Sequence, residues 1–397
     1  MATPAREVPA AAAARARIDS VDVLRGLVMV VMALDHTRDF FSNARFDPLD
    51  LTRTNPALFF TRWITHFCAP VFVFLAGTGA YLSLSRGRSK RDLSRFLWTR
   101  GLWLVIVEVT VVSFAWSFDF GLHDIVLQVI WAIGWSMVAL AFLVRLPTAV
   151  AGTLGVAMIA AHNLLDPILP QRFGAFAWLW DILHVSAWSP IAQAEGHSFT
   201  LVYPLIPWVG VMAAGYAFGS VYSRDAARRR RILLFLGFGL TAAFVVLRWT
   251  NLYGDPHPWT AQKSGLFTVM SFLKCEKYPP SLLYLLVTLG PAIALLAFLD
   301  KPAGPLASKI RVFGRVPFFY YVLHIPMIHA MAIVLGLILY GPASLRWGPL
   351  NPPPNDVGLG LPGVYAAWLL AVLILYFPCR WFARLKSRRR DAWLSYL

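Results

Sequence analysis

The stretch LRGLVMVVMALDH, Leu24 to His36, decides how this chain is read. Arg25 stands near one end of an apolar run and Asp35-His36 at the other, and each is costly to hide from water. Composition says which solvent that run meets. Of 397 residues, 58% are hydrophobic and 14% charged, with a mean hydropathy of +0.60. A soluble domain is nearer a quarter charged, so the chain is a membrane protein.

Working outward, windows of about 19 residues predict ten spans, at 21–40, 58–84, 96–116, 122–144, 147–164, 201–222, 231–250, 281–299, 314–340 and 363–383. Each is read as crossing about 30 Å of hydrocarbon. With the N-terminus inside, the basic clusters at 86–95, 224–231, 301–315 and 380–390 all become cytoplasmic. The opposite loops are poorer in Lys and Arg, so both termini are expected inside. The predicted fold class is all-α, a polytopic bundle of about ten transmembrane helices.

The domain reading is a basic, Ala-rich N-terminal tail at 1–17, one transmembrane domain at 18–385 and a basic cytoplasmic tail at 386–397. The first segment lacks an apolar core and a cleavage site, so it reads as a tail and not a signal peptide. WLWDILHVSAWSP (178–190) and LRWGPLNPPPND (345–356) suggest a structured outer cap, or else interfacial aromatic anchors. The net charge of +16 lies beside apolar spans, which favours anionic lipid headgroups over nucleic acid. Cys68, Cys275 and Cys379 show neither disulfide-framework nor metal-ligand spacing.

Intramembrane ionisable groups are functional-site candidates. Arg25 and His36 are eleven residues apart, which leaves them within about 20° on one helix face and about 16 Å apart along its axis. Guanidinium suits phosphate, and imidazole exchanges protons near neutral pH. The plainer readings are Arg25 snorkelling against Asp22, and His36 bonded to Asp35, Asp39 or a neighbouring helix.

His66 in the second span is a further candidate at the level of His36, with Arg62 one turn above it; a satisfied structural histidine is the alternative. Ala76, Gly77, Gly79 and Ala80 are read as close-packing residues. Glu108 could orient a histidine or pair with Arg100. His324 precedes Pro326, which frees backbone carbonyls, so a bond to such a carbonyl is the leading reading there. Lys274, Glu276 and Lys277 could hold an anionic acceptor or mark the water boundary, and the second reading leads. No GxSxG elbow, P-loop, HExxH or GxGxxG signature is present.

IDSVDVLRGLVMVVMALDHTRDFF, RWITHFCAPVFVFLAGTGAYL, KYPPSLLYLLVTLGPA and FGRVPFFYYVLHIPMIHA closely resemble the bacterial membrane family likened to the heparan-alpha-glucosaminide N-acetyltransferase catalytic domain, over about residues 17 to 385. That family is grouped with the acyltransferase-3 membrane proteins, whose first helix carries Arg, ten residues and His, a pattern that Arg25 and His36 meet. The resemblance implies a ten-helix bundle in the bacterial inner membrane.

It further implies acetyl-CoA or another acyl-CoA as co-substrate, no permanently bound cofactor and an extracytoplasmic acceptor, usually a glycan. Arg25, with Asp22 beside it, would serve the donor, and His36 the transfer. Heparan-modifying members place a histidine in the first outer loop, whereas 37–57 contains none. Such chemistry would use His36, oriented by Asp35 or another carboxylate, or His66. Partners are then the bilayer, acyl-CoA and a glycan or other small acceptor, with a homo-oligomer left open and no metal. The rival classes are a proton-linked transporter or flippase and a non-catalytic membrane scaffold.

Overall fold

A computed structural model describes residues 18–185, 190–194, 196–300, 304–354, 357–389 and 391–396. The expected tail at 1–17 lies outside the described residues, as do parts of both Trp- and Pro-rich outer segments. In chain order the elements are α1 (Asp19–Phe41), α2 (Pro56–Ile64), α3 (Cys68–Ser85), α4 (Lys90–Val107), α5 (Ser113–Ser117), β1 (Asp124–Leu127), α6 (Val129–Leu143), α7 (Thr148–Ala161) and α8 (Ala177–Leu183). They continue as β2 (Pro190–Ala194), β3 (His197–Leu201), α9 (Leu205–Phe218), α10 (Ala226–Thr250), α11 (Gly265–Leu273), α12 (Leu282–Leu299), α13 (Pro305–Arg315), α14 (Pro317–Tyr340) and α15 (Leu361–Arg388).

Among the described residues, eight helical segments are long and apolar enough to cross a membrane. They match the predicted spans apart from the first and fourth. At the first, α1 is a helix of 23 residues whose two ends carry Asp19, Asp22, Arg25, Asp35, Arg38 and Asp39. At the fourth, the predicted 122–144 is corrected: Asp124–Leu127 is a strand, and α6 starts only at Val129. Fifteen residues rise about 22 Å, short of the hydrocarbon thickness.

The all-α expectation is corrected by a three-stranded sheet ordered β1-β3-β2. β1 pairs in parallel with β3 from Asp124↔Ser198 to Leu127↔Leu201, and β2 is antiparallel to β3. Periodicity missed β1 because Ile125, Val126 and Leu127 run straight into the apolar α6. A short apolar run does not by itself distinguish strand from helix. The predicted span at 314–340 is likewise two elements, with Pro317 opening α14 after α13 ends at Arg315. Pro at a first helical position lacks only an N–H that would be unpaired there.

α1 packs against α3, α12, α13, α14 and α15. Its approach to α13 is fixed by glycine: a Cβ at Gly314 would stand 1.8 Å from the Asp22 carbonyl oxygen, and one at Gly26 would stand 2.2 Å from that of Ile310. Trp368 of α15 donates to Val30 O at 2.8 Å. Contacts also sort the connecting segments by end. Lys90 donates to the Arg145 and Leu146 carbonyls, Arg229 pairs with Asp300, and Arg311 pairs with Asp19. At the other end, Arg45 donates to Val357 O and Ser42 bridges Leu359. Each contact joins segments that the charge pattern puts on one side of the bilayer.

The segment after α15 docks back on the bundle. Tyr396 shares a 2.9 Å hydroxyl hydrogen bond with Thr99, and Leu394 is buried. Exposed apolar side chains such as Phe235, Trp249, Leu369 and Phe377 cover α10 and α15, as lipid-facing helices require.

Candidate functional site

The C-terminal end of α1, outer by the charge pattern of the loops, carries a charge cluster. Asp35, Arg38 and Asp39 share one face because residues three and four apart are neighbours on a helix. Arg38 reaches Asp35 at 3.1 Å and Asp39 at 2.6 Å. Arg62, from α2, also bonds Asp35. The Asn55 side chain accepts Leu58 N–H at 3.0 Å and Pro56 opens the first turn, so α2 starts where Arg62 can reach that carboxylate.

With Asp35 held by two guanidinium groups, His36 pairs elsewhere: its Nδ1 lies 2.7 Å from His324 Nε2. The partners then fix the tautomers. His324 Nδ1 is 2.6 Å from Tyr321 O; a carbonyl only accepts, so that nitrogen carries the proton. Nε2 of a neutral His324 is consequently an acceptor, and His36 Nδ1 donates to it. The lone pair of His36 is left on Nε2, the atom a base uses. The expected carbonyl bond of His324 is present, but its acceptor is one residue before Val322, whose carbonyl Pro326 deprives of a donor. Trp116 meets the His36 ring edge-on with centroids 5.1 Å apart.

His36, Asp35, Arg38, Asp39, Arg62 and Lys277 line an outer cavity of about 550 Å³, together with Trp116, Gln128, Tyr203 and Tyr278. Arg45, Asp47, Pro349 and Leu350 from the outer loops also line it. Arg25 lines a different, largely apolar cavity of about 270 Å³, with Arg100, Met29, Ala76, Gly79 and Ala80. Phe72, Val129 and Tyr321 line both cavities, so the two meet at those side chains.

The small residues of α3 divide in role. Gly77 packs against α9, where its Cβ would meet Met212 O at 2.0 Å, whereas Ala76, Gly79 and Ala80 leave room for the inner cavity. Arg25 combines the plain reading with the sharper one. It donates to Asp22 at 3.2 Å and to Gly314 O at 3.1 Å while still lining that cavity. Asp22 is buried behind it.

His66 does not join His36. It sits in a 3-10 turn, Thr65–Phe67, where its backbone carbonyl accepts Tyr284 Oη–H at 2.8 Å and its Nε2 has no partner among the described residues. It lines a third cavity of about 440 Å³, which shares Asp47, Arg62, Lys277 and Tyr278 with the outer one. Glu108 pairs with neither a histidine nor Arg100. It sits in a π turn, Glu108–Val112, and its Oε1 accepts Gln128 N–H at 2.9 Å. A carboxyl at the start of α6 meets the positive end of the helix dipole. It also satisfies non-helical backbone at a depth where water would otherwise be needed. No group of three or more His, Cys, Asp or Glu able to hold a metal occurs among the described residues.

Arg38 and Tyr278 are site residues to which the sequence gave no role, while His324 was expected only to bond a carbonyl and Lys277 chiefly to mark the water boundary. The signal for Arg38 was available, as one turn separates it from Asp35. For His324, 288 positions from its partner, helical periodicity carries no pairing information.

A sequence model of the family described as heparan-alpha-glucosaminide N-acetyltransferase, catalytic, matches residues 17–248. No curated protein matches the chain. The matched region carries Arg25, His36, Arg62, His66, Arg100 and Trp116, while Lys277, Tyr278, Tyr321 and His324 lie beyond it. With more than half of its length matched, the chain belongs to the heparan-alpha-glucosaminide N-acetyltransferase catalytic-domain family.

Proposed function

We propose that the protein is an integral membrane acyltransferase of the bacterial inner membrane. It takes an acyl group, acetyl in the first instance, from acyl-CoA on the cytoplasmic side and passes it to a hydroxyl or amine, as on a glycan, on the outer side. One observation carries the reading: the cavity holding Arg25 and the cavity holding His36 meet at Phe72, Val129 and Tyr321. A donor arm lying along the inner cavity would bring its thioester to that junction. Arg25 and Arg100 offer guanidinium groups to phosphate or amide oxygens, and the apolar lining suits the arm itself.

In this mechanism His36 Nε2 takes the proton of the acceptor as its oxygen or nitrogen attacks the thioester carbonyl. The C–S bond breaks as the C–O or C–N bond forms, and the imidazolium returns the proton to the departing thiolate. His324 holds His36 in the reactive tautomer, the part assigned to Asp35 from sequence. Asp35 instead neutralises Arg38 and Arg62. Trp116, Tyr203 and Tyr278 present aromatic rings to a sugar.

The test is purified protein supplied with radiolabelled acetyl-CoA and cell-envelope glycan. Label should move to the glycan with release of CoA, and His36→Ala should stop it. Transfer unchanged in that variant overturns the assignment of His36. Solute flux without CoA release would favour the transporter class.

A further inference from the structure

The third cavity, behind Arg62, plays no part in the mechanism above. Its wall toward His36 includes Lys277, which is only 8% exposed. None of the ion pairs among the described residues includes this lysine; its partner is the neutral Tyr278 side chain, which it hydrogen-bonds and over whose ring its Nζ lies at 4.9 Å. The nearby carboxylates are committed elsewhere. Asp35 binds Arg38 and Arg62; Asp39 binds Arg38. Glu276 accepts Tyr278 N–H at 2.9 Å and faces His257 at 3.3 Å, and Asp47 accepts Leu49 N–H. A buried ammonium without a counter-ion is unfavourable. His66 Nε2, also buried, has no partner in the same cavity.

The surrounding loop is built to hold this arrangement. Arg248, fully buried, donates to the carbonyls of His257, Ser271, Phe272 and Lys274. Asp255 accepts Glu276 N–H at 2.8 Å and Ser281 Oγ–H at 2.7 Å. Four carbonyls and a carboxylate thus fix the backbone on either side of Lys277.

We infer that this cavity is an oxyanion subsite for the acceptor, in which Lys277 and His66 bind a carboxylate or phosphate borne by the sugar while its nucleophile reaches His36. The volume is within the range of small-molecule sites. The inference rests on the acyl-transfer reading only in calling the ligand an acceptor.

The experiment measures equilibrium binding to the full-length protein in nanodiscs without acyl-CoA, using glucuronate, glucose 6-phosphate and glucose as probes. At least one anionic sugar should bind about tenfold or more tightly than glucose, a margin of roughly 1.4 kcal/mol. The comparison between the two separates carboxylate from phosphate. Lys277→Gln should abolish the preference and Lys277→Arg should keep it. Equal binding of all three probes by the unsubstituted protein, or a preference that survives Lys277→Gln, overturns the proposal. If Lys277→Gln does not fold, added sodium chloride decides in the unsubstituted protein: it should shrink the preference, and a salt-independent preference overturns the proposal. Acyl-CoA consumption is assayed separately. Preference without consumption supports the subsite and removes the transfer reading.

Discussion

His36 Nδ1 and His324 Nε2 stand 2.7 Å apart on two helices, and the Tyr321 carbonyl orients the second ring. The pair sets which nitrogen of His36 holds its lone pair. His36→Ala should lower the transfer rate by about 10²- to 10⁴-fold, the usual worth of a positioned base. His324→Ala should lower kcat with little change in the KM for acyl-CoA, since it touches His36 and lines neither cavity. Steady-state kinetics at saturating donor checks both.

Arg25 lines the inner cavity while donating to Asp22 and Gly314. Arg25→Gln should raise the KM for acyl-CoA by about tenfold or more, the worth of one charge-assisted hydrogen bond, and leave the acceptor KM unchanged. An unaltered donor KM would remove Arg25 from the donor site.

Gly314 lies against the Asp22 carbonyl with no room for a methyl group. Gly314→Ala should cost about 1–3 kcal/mol through forced separation of α1 and α13. Thermal unfolding in detergent should show it as a lower midpoint. Donor affinity should fall with it, because Arg25 is anchored on that same carbonyl stretch.

Asp35 is the shared partner of two guanidinium groups, one buried and one half-buried. Asp35→Asn leaves Arg62 without its counter-charge and Arg38 with Asp39 alone, and should destabilise the fold by about 3–5 kcal/mol. Were Asp35 merely an orienter of His36, the same variant would lose activity at unchanged stability.

Phe72 stands where the inner and outer cavities meet. Phe72→Ala should widen that junction and admit water to the thioester, so hydrolysis of acyl-CoA without acceptor should rise. A rate no higher than that of the unsubstituted protein would mean that Phe72 does not separate the two spaces.

Sequence alone determined that this is a polytopic helical membrane protein, where most of its spans lie, and that Arg25 and His36 share one helix. These follow from local rules: apolar runs of a given length and the 100° step of a helix are visible without knowing any neighbour. Only the tertiary structure decided the rest. It broke the fourth span into strand and helix, because Glu108, 20 residues upstream, supplies the bond that Gln128 N–H needs. It committed Asp35 to Arg38 and Arg62, gave His36 a histidine partner from α14, and put His66 in a separate cavity beside a buried Lys277. Those outcomes depend on which helices pack side by side, and pairing across hundreds of residues leaves no mark in the period of either helix.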